Sequence, residues 1–573
     1  AIAMYGEPLA APATGARNYW LRSTKGKSSR VAVSKSNGGD PITASVPFTF
    51  ERVGKSIFDS LVSDDNADSF FGTLITSEGG IEPLPVANLD TSYGGNATLD
   101  RQIQGGTDGW HIVDVNHDGR TLGTITLGGV NAQGGTFTLP NSWLANGTNN
   151  LPLTSRNGDW DVSVLAKARL TYQHLLRADS GAFDANVAGG RAVTIGGFAA
   201  NTVRAFDITD AAHPTELKAA VAADPQGGFA ATFTSLSGAQ RTIMAFDASR
   251  VVTPAELAPN TPSSWSDTNG NSNGSKGAAD FYIVSNKAFI AAAGTLKAVR
   301  DKEGTDTSIV DVDDLYDEFN FGIRSPGAIR SFFQLASTWK HAPSAAMLLG
   351  DASVDPRNYM GTGAADFVPT RMVITSQLRT ASDDWFTDLN NDGIADIPIG
   401  RIPVRTAAEA QLILGKIASR GTPSGAWARN ALFVADQSTD YDFGGVAKSL
   451  VKLLPSSMTS QTIDFATTSS PHSDIISAMN SGSLLVTYIG HASVELWADY
   501  YIFASSDATA LTNGNRLPVV IGLDCPPRLS HPPPHTSAMR SLIRTRTRGR
   551  RGSPAGWPRL TRPPRIRSSL PQP

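Results

Sequence analysis

Over roughly the first 260 residues, apolar and polar positions alternate in short runs. Val46-Pro-Phe-Thr-Phe, Thr124-Ile-Thr-Leu, Thr136-Phe-Thr-Leu, Asp161-Val-Ser-Val-Leu and Val203-Arg-Ala-Phe-Asp-Ile stand between clusters of Gly, Asn, Ser and Thr. Period-two alternation with β-branched residues predicts half-buried antiparallel strands, organised as one or two sandwich-like units over residues 1–260. Beyond the linker that begins Trp265-Ser-Asp-Thr-Asn-Gly the pattern changes. Asp280-Phe-Tyr-Ile-Val-Ser, Ser308-Ile-Val-Asp-Val, Ala345-Ala-Met-Leu-Leu and Ala431-Leu-Phe-Val-Ala-Asp436 are short uninterrupted apolar runs, the mark of strands buried on both faces. Between them lie helical patterns: Phe289 to Arg300; a helix opened by Ser325-Pro326 and carrying Ile329, Phe332 and Phe333; one opened by Thr406-Ala-Ala-Glu409; and one marked by Val446, Leu450 and Leu453. Strands alternating with helices predict a doubly wound, mainly parallel α/β sheet over residues 275–525.

The chemistry gathers at the end of that region. Leu484-Leu-Val-Thr-Tyr-Ile-Gly-His491 and Leu517-Pro-Val-Val-Ile-Gly-Leu-Asp-Cys525 are strand-length runs, each ending in a residue suited to nucleophilic catalysis. Open α/β sheets bind ligands just beyond the carboxyl ends of their strands, so His491 and Cys525 are placed on one rim as a candidate dyad.

Composition sharpens the boundaries. A chain of 573 residues exceeds one core and suggests about three or four units. It has no apolar run of eighteen residues, hence no transmembrane segment is expected. The start shows no signal peptide and no initiator Met, so the sequence is expected to begin inside a longer protein. One Cys rules out an internal disulfide or a multi-thiolate metal site. The net charge of −3 hides an asymmetry: residues 526–573 hold eleven of the 49 basic residues, all Arg, and none of the 52 acidic ones. The first 525 residues therefore carry 38 basic against 52 acidic side chains, a formal charge of −14. Eleven prolines in the tail oppose helix and sheet, and Trp557 is its only aromatic, so neither a folded domain nor a nucleic-acid partner is expected. The tail reads as disordered or as an out-of-frame translation beginning at or just after Cys525.

Two stretches have the oxygen spacing of calcium loops. Asp388-Leu-Asn390-Asn-Asp392-Gly393-Ile-Ala-Asp396 places oxygens at positions one, three, five and nine with Gly at six. Asp114-Val-Asn116-His-Asp118-Gly119 begins the same way but has no closing acid, and reads equally as an Asx-rich hairpin turn. Calcium is expected as a structural ion only; the catalysis needs no cofactor.

These motifs, in order, resemble a known family. Asp314-Leu-Tyr-Asp-Glu-Phe-Asn-Phe-Gly, Leu348-Leu-Gly-Asp-Ala-Ser, Asp366-Phe-Val-Pro-Thr, Ser382-Asp-Asp-Trp-Phe, Ile399-Gly-Arg-Ile-Pro-Val, Gly490-His-Ala-Ser and the strand ending in Cys525 resemble the gingipain-type cysteine peptidases, peptidase family C25, over roughly residues 275–525. The Tyr-Asp-Glu-Phe segment and the β-rich leader are most similar to the branch that includes the type IX secretion signal peptidase. The resemblance implies a caspase-like fold, cysteine endopeptidase activity on peptide or protein substrates, and an extracytoplasmic bacterial setting with secretion-machinery or cell-surface association. It makes Cys525 the nucleophile, His491 the proton relay, and the backbone N–H groups of Ala492 and Cys525 the oxyanion donors, with Ala492 where the family usually has Gly. It places Asp366 as a third acid orienting the His, and Asp383 or its neighbour Asp384 as the acid that meets a basic P1 side chain. Two alternatives stand beside it: a truncated, catalytically incompetent peptidase whose sheet is left open after Cys525, and a calcium-binding secretion or adhesion module.

Overall fold

The computed structural model describes residues 13–21, 25, 30–35, 38–42, 45–59, 69–266, 279–363, 366–375, 379–438, 441–493, 496–498 and 501–525. The tail 526–573, and with it the reading of that tail, lies outside the described residues. Two compact units are present, one ending at Ser419 and the other beginning at Arg420.

The alternating first half folds into two β cores. One is built on an antiparallel sheet in the order Ala132–Pro140, Asn96–Gly105, Ser163–His174, Val46–Val53, accompanied by a three-stranded sheet of Leu153–Ser155, Trp110–His117 and Arg120–Gly128. Burial follows the sequence alternation, so that Ala97, Leu99 and Ile103 face Val113, Val115, Ile125 and Leu127 in one cluster. The other core collects Phe183, Val193, Ile195, Phe198, Phe233 and Ile243 from strands between residues 182 and 246. The expected sandwich-like region is thus two units rather than one.

Still within the first unit, the α/β pattern begins. Strands β1 (Phe281–Ser285), β2 (Thr307–Asp311), β3 (Ala345–Leu349) and β4 (Ile399–Ile402) form a parallel sheet in the order β2-β1-β3-β4. Helix α1 (Ile290–Lys302) follows β1, α2 (Val312–Asn320) follows β2 directly, and α3 (Pro326–Ala336) precedes β3. Ser325 caps α3 through its hydroxyl, which accepts the Gly327 N–H at 3.1 Å, and Pro326 occupies the first turn, where its missing donor costs nothing. The apolar faces of α2 and α3 bury Leu315, Ile329, Phe332 and Phe333 against Tyr282, Val284 and Leu348. Helix α4 (Ala407–Ser419), which follows β4, packs with α1 over the other face, burying Ala410 and Leu414 with Leu296, Met347 and Leu349. Ser69 and Arg379 join the β-rich half to this sheet, the guanidinium donating to the hydroxyl at 2.8 Å, beside the paired rings of Phe70 and Tyr359.

The second unit repeats the arrangement. Strands β5 (Asn430–Ala435), β6 (Thr459–Asp464), β7 (Leu485–His491) and β8 (Val519–Cys525) pair in parallel in the order β6-β5-β7-β8. Helices α5 (Phe443–Val451) and α6 (Pro471–Ser481) cover its faces. The single doubly wound sheet read from the sequence is therefore two four-stranded parallel sheets with the same strand order. Periodicity reveals strands but carries no information on which strands pair.

Phe332 lies at the centre of an aromatic cluster with Tyr282, Phe319, Phe333, Trp265 and Trp339. Truncation to Ala leaves a cavity that rigid sheet and helix cannot close, and Phe332→Ala should lose about 3–5 kcal/mol from the first unit. Urea denaturation followed by near-UV circular dichroism would show it as a lowered midpoint for that unit; an unchanged midpoint would mean the cluster repacks.

Candidate active site

In both sheets the strand order reverses between the first and third strands in sequence, and the crevice at the carboxyl ends there is the expected binding position. In the second sheet this is the junction of β5 with β7, where Asp436 and Gly490-His491 emerge. The register of β7 with β8 pairs Gly490 with Asp524 and His491 with Cys525. The two residues expected to form a dyad thus end adjacent strands at the same level of the rim.

His491 is exposed at this edge, and the groups that fix it are backbone and aromatic. Its N–H donates to the Asp436 carboxylate at 3.0 Å, and its carbonyl accepts from the Ala498 N–H at 2.8 Å and from the Tyr488 hydroxyl. Phe443, at the start of α5, meets the imidazole edge-to-face with centroids 5.3 Å apart. Under the loop, Tyr488, Trp497 and Phe503 stack in series at 4.5 and 4.9 Å. Among the described residues no carboxylate pairs with the His491 ring. The bridge between Ala492 and Trp497 runs through the N–H groups of Ser493 and Ala498. Among the described residues nothing accepts from the Ala492 N–H, although Ala492 itself is buried.

Asp436 is the residue that the pattern of chemistry-bearing side chains does not reveal. Its carboxylate, 4% exposed, also accepts the Gln437 N–H at 2.7 Å, so both oxygens are engaged. The available signal is its position, the first residue after an uninterrupted apolar strand.

The other acids take different places. Asp366 belongs to the first unit, beyond β3, where its carboxylate is buried. Arg324 sits 3.3 Å away as an ion pair rather than an aligned hydrogen bond, and the Ser353 N–H donates at 3.1 Å. Asp383 is not an open acceptor: Arg401 grips it bidentately, Nε and Nη2 each at 2.7 Å, while Thr370 donates to it at 3.0 Å. The same guanidinium donates to the carbonyls of Gly350, Val368 and Pro369, tying three chain segments together. This corrects the reading of Asp383 as an available P1 acid. Asp384 opens a short 3-10 turn and is exposed.

Of the two calcium motifs, the first lies on a hairpin, the alternative weighed for it. Asp114 and Asn116 lie on a β-strand, not in a loop, and are used across it: Asp114 accepts from Thr124 at 2.7 Å and pairs with Arg156 at 2.6 Å, and Asn116 accepts from Thr121 at 2.9 Å. Asp118 and Gly119, with φ of 46° and 74°, form the tight hairpin turn that two left-handed residues allow. The second motif does form a turn. Asp388 accepts the N–H groups of Asp392 and Gly393, Asn390 that of Asp392, and Asp396 that of Leu389. Arg330 donates to the Asp388 carbonyl and to Asn391 from outside. The oxygens surround one turn but are aimed at its backbone, and no group of three or more His, Cys, Asp or Glu side chains converges as a metal cage among the described residues.

Comparison with known proteins bears on this rim. Residues 275–552 match the model of peptidase family C25, a span that reaches past Cys525 into the Arg/Pro tail. Over this segment the chain is similar to peptidase family C25. The matched segment covers the α/β half with its two parallel sheets, behind a β-rich leader. Among solved structures it is similar to dimeric latent PorU from Porphyromonas gingivalis, with a TM-score of 0.47 and 16% identity over 68% of this chain. It is also similar to the Arg-specific cysteine proteinase gingipain R, with a TM-score of 0.37 and 18% identity over 50% of this chain. The chain spans 39% of the former and 62% of the latter. Neither superposition reaches a TM-score of 0.5, and the C25 assignment rests on the sequence segment. No curated protein matches the chain.

Burial raises the Asp366 carboxyl above the ordinary carboxylate range, against the opposing pull of Arg324 and the Ser353 N–H. A folded-state pKa above the unfolded one means that the proton favours folding. The full contribution is present below about pH 4 and is lost as pH rises through the raised value. Asp366→Asn keeps the shape and removes the titration, so the melting-temperature difference between variant and parent should shift in the variant's favour from about pH 4 to about pH 8. A difference that stays flat across that range would show that Asp366 titrates normally.

Proposed function

We propose that the chain is a cysteine endopeptidase acting through His491 and Cys525. The observation that carries this is the pairing of the two residues in register on adjacent parallel strands, at the carboxyl rim one strand from the β5–β7 junction where the strand order reverses. In this reading the Cys525 thiol passes its proton to the His491 imidazole, and the thiolate attacks the peptide carbonyl. The protonated imidazole then gives that proton to the departing amine, leaving a thioester that water hydrolyses with His491 as base. The Ala492 N–H, which has no acceptor among the described residues, is placed as a donor to the tetrahedral oxyanion; the Cys525 N–H is its proposed companion. One such donor is typically worth about 3–4 kcal/mol of barrier.

Selection of a basic P1 residue and action on secreted or surface proteins outside the cytoplasm belong to the same proposal. With Asp383 held by Arg401, the P1 role passes to Asp384. Among the described residues no helix is long and apolar enough to cross a membrane.

Labelling of the full chain with arginyl and alanyl chloromethyl ketones tests both parts. The reagent should alkylate Cys525, His491→Ala should slow labelling by roughly 100-fold or more, and Asp384→Ala should erase the preference for the arginyl reagent. A folded chain that takes no label at Cys525 would reject the peptidase reading. Equal labelling by the two reagents would reject only the P1 assignment.

The donor set of Asp388, Asn390, Asp392 and Asp396 is all oxygen, the chemistry of a hard cation, and a structural calcium there is part of the proposal. Millimolar calcium should raise the melting temperature of the chain, and Asp392→Ala should abolish the increase. An unchanged melting temperature in the parent would leave the turn as a self-bonded Asx loop.

A further inference from the structure

The first β core exposes two tryptophans at one end. Trp110 is 71% and Trp160 89% exposed, unusual for a residue that is among the most buried on average. Trp110 starts a strand, along which side chains alternate between the interior and the solvent, and Trp160 lies in a turn closed by the Asp161 N–H donating to the Gly158 carbonyl at 3.2 Å. The inward positions beside the tryptophans are taken by His111 and Asp161, 1% and 4% exposed and joined Nδ1 to Oδ1 at 2.6 Å. Ser163 reaches the same ring nitrogen at 3.2 Å, and His111 Nε2 lies 2.9 and 3.1 Å from the carbonyls of Thr107 and Gly129. With His111 and Asp161 locked inward, Trp110 and Trp160 are held outward on two tied loops. The Asn157 amide donates to the Trp110 carbonyl at 2.6 Å and the Thr107 hydroxyl to the Trp160 carbonyl at 3.0 Å. Trp110 lies along bare backbone: a Cβ at Gly128 would be 3.8 Å from its ring.

The surroundings select the partner. Residues 105–110 and 156–161 read Gly-Gly-Thr-Asp-Gly-Trp and Arg-Asn-Gly-Asp-Trp-Asp. Apart from the tryptophans they are polar or glycine, so there is no apolar rim of the kind that surrounds a protein-docking patch. Asp108 and Asp159 are exposed, and the single cation, Arg156, is paired with Asp114. Anionic bilayers and nucleic acids are attracted by basic residues, which these loops do not offer. Flat indole faces set among carboxylate and amide groups match a neutral sugar chain. The negative π-face meets the weakly positive C–H face of a pyranose, and the polar side chains meet its hydroxyls.

We propose that this tip, through Trp110 and Trp160, is a binding site for neutral polysaccharide. The site is independent of the peptidase rim and would hold the chain on a glycan-rich surface.

Affinity electrophoresis of the full chain through gels containing xylan, mixed-linkage β-glucan or galactomannan tests it, with Trp110→Ala, Trp160→Ala and the double variant run alongside. At least one of these polymers should retard the parent, with each single variant weakening binding tenfold or more and the double variant moving freely. Absence of retardation in all three gels, or retardation that survives in the double variant, would overturn the proposal. So would tryptophan-dependent sedimentation with phosphatidylcholine or phosphatidylglycerol vesicles in the absence of polysaccharide binding. Both substitutions are at exposed positions, and an unchanged melting temperature separates lost binding from lost fold.

Discussion

The candidate rim depends on one close passage of backbone. At Gly490 the chain runs so near to β5 that a Cβ there would lie 2.2 Å from the Asp436 Cβ, a separation no side chain tolerates. Glycine is therefore required, and its absence of bulk is what allows the Asp436 carboxylate to accept the His491 N–H. That hydrogen bond fixes where β7 ends, and the register with β8 then sets His491 level with Cys525. A catalytic pair has to be held within about half an ångström of its working geometry. Here the hold is exerted on backbone by a buried acid and, beneath the loop, by the Tyr488–Trp497–Phe503 stack. The ring of His491 keeps its freedom; its peptide does not.

The first sheet shows what the same architecture does without that chemistry. Leu349-Gly350-Asp351 stands at the end of β3 as Ile489-Gly490-His491 stands at the end of β7, and Gly350 also lies in the left-handed region, with φ of 144°. Where the second sheet has His491, the first has Asp351, whose N–H donates to the Val404 carbonyl and whose carboxylate pairs with Arg405 at 2.7 Å. Asp366 with Arg324 and Asp383 with Arg401 complete three acid–arginine pairs around one rim. Arg401 and Arg405 hold Asp383 and Asp351 through aligned hydrogen bonds at 2.7 Å, so these two pairs serve as a clasp at the carboxyl ends of β3 and β4. Identical strand order thus yields one rim locked by acid–arginine pairs and one rim that sets His491 level with Cys525, and the difference is a handful of side chains at strand ends.

That division explains what the sequence discloses. Buried strands are legible because both faces demand apolar residues, and so β1, β3, β5 and β7 stand out as short unbroken runs. Thr459–Asp464 is not legible: it is the edge strand β6, its first four residues exposed, and nothing in Thr-Ser-Gln-Thr distinguishes it from a loop. His491 and Cys525 are legible because chemistry-bearing residues at strand ends are few. Asp436 and Phe443 support His491 from positions 55 and 48 residues earlier, a relation created only by the parallel pairing. The partnership of Asp383 with Arg401 is hidden for the same reason. Asp114 and Asn116 mislead in the opposite direction, because period-two spacing is shared by calcium loops and by strands with one polar face.

The strand that carries Cys525 has the least support of the eight. In the first sheet, α4 follows the fourth strand and buries its apolar face together with α1. In the second, Val519, Ile521 and Leu523 on β8 are 48%, 42% and 45% exposed, and among the described residues no helix covers them. An edge strand with one bare apolar face and open backbone groups is prone to fray or to pair with other chains. Fraying at β8 would move Cys525 out of register with His491 while leaving β5, β6 and β7 folded, so loss of the nucleophile's geometry and loss of the fold are separable events in this chain. The register of Cys525 with His491 is therefore limited by the packing of β8.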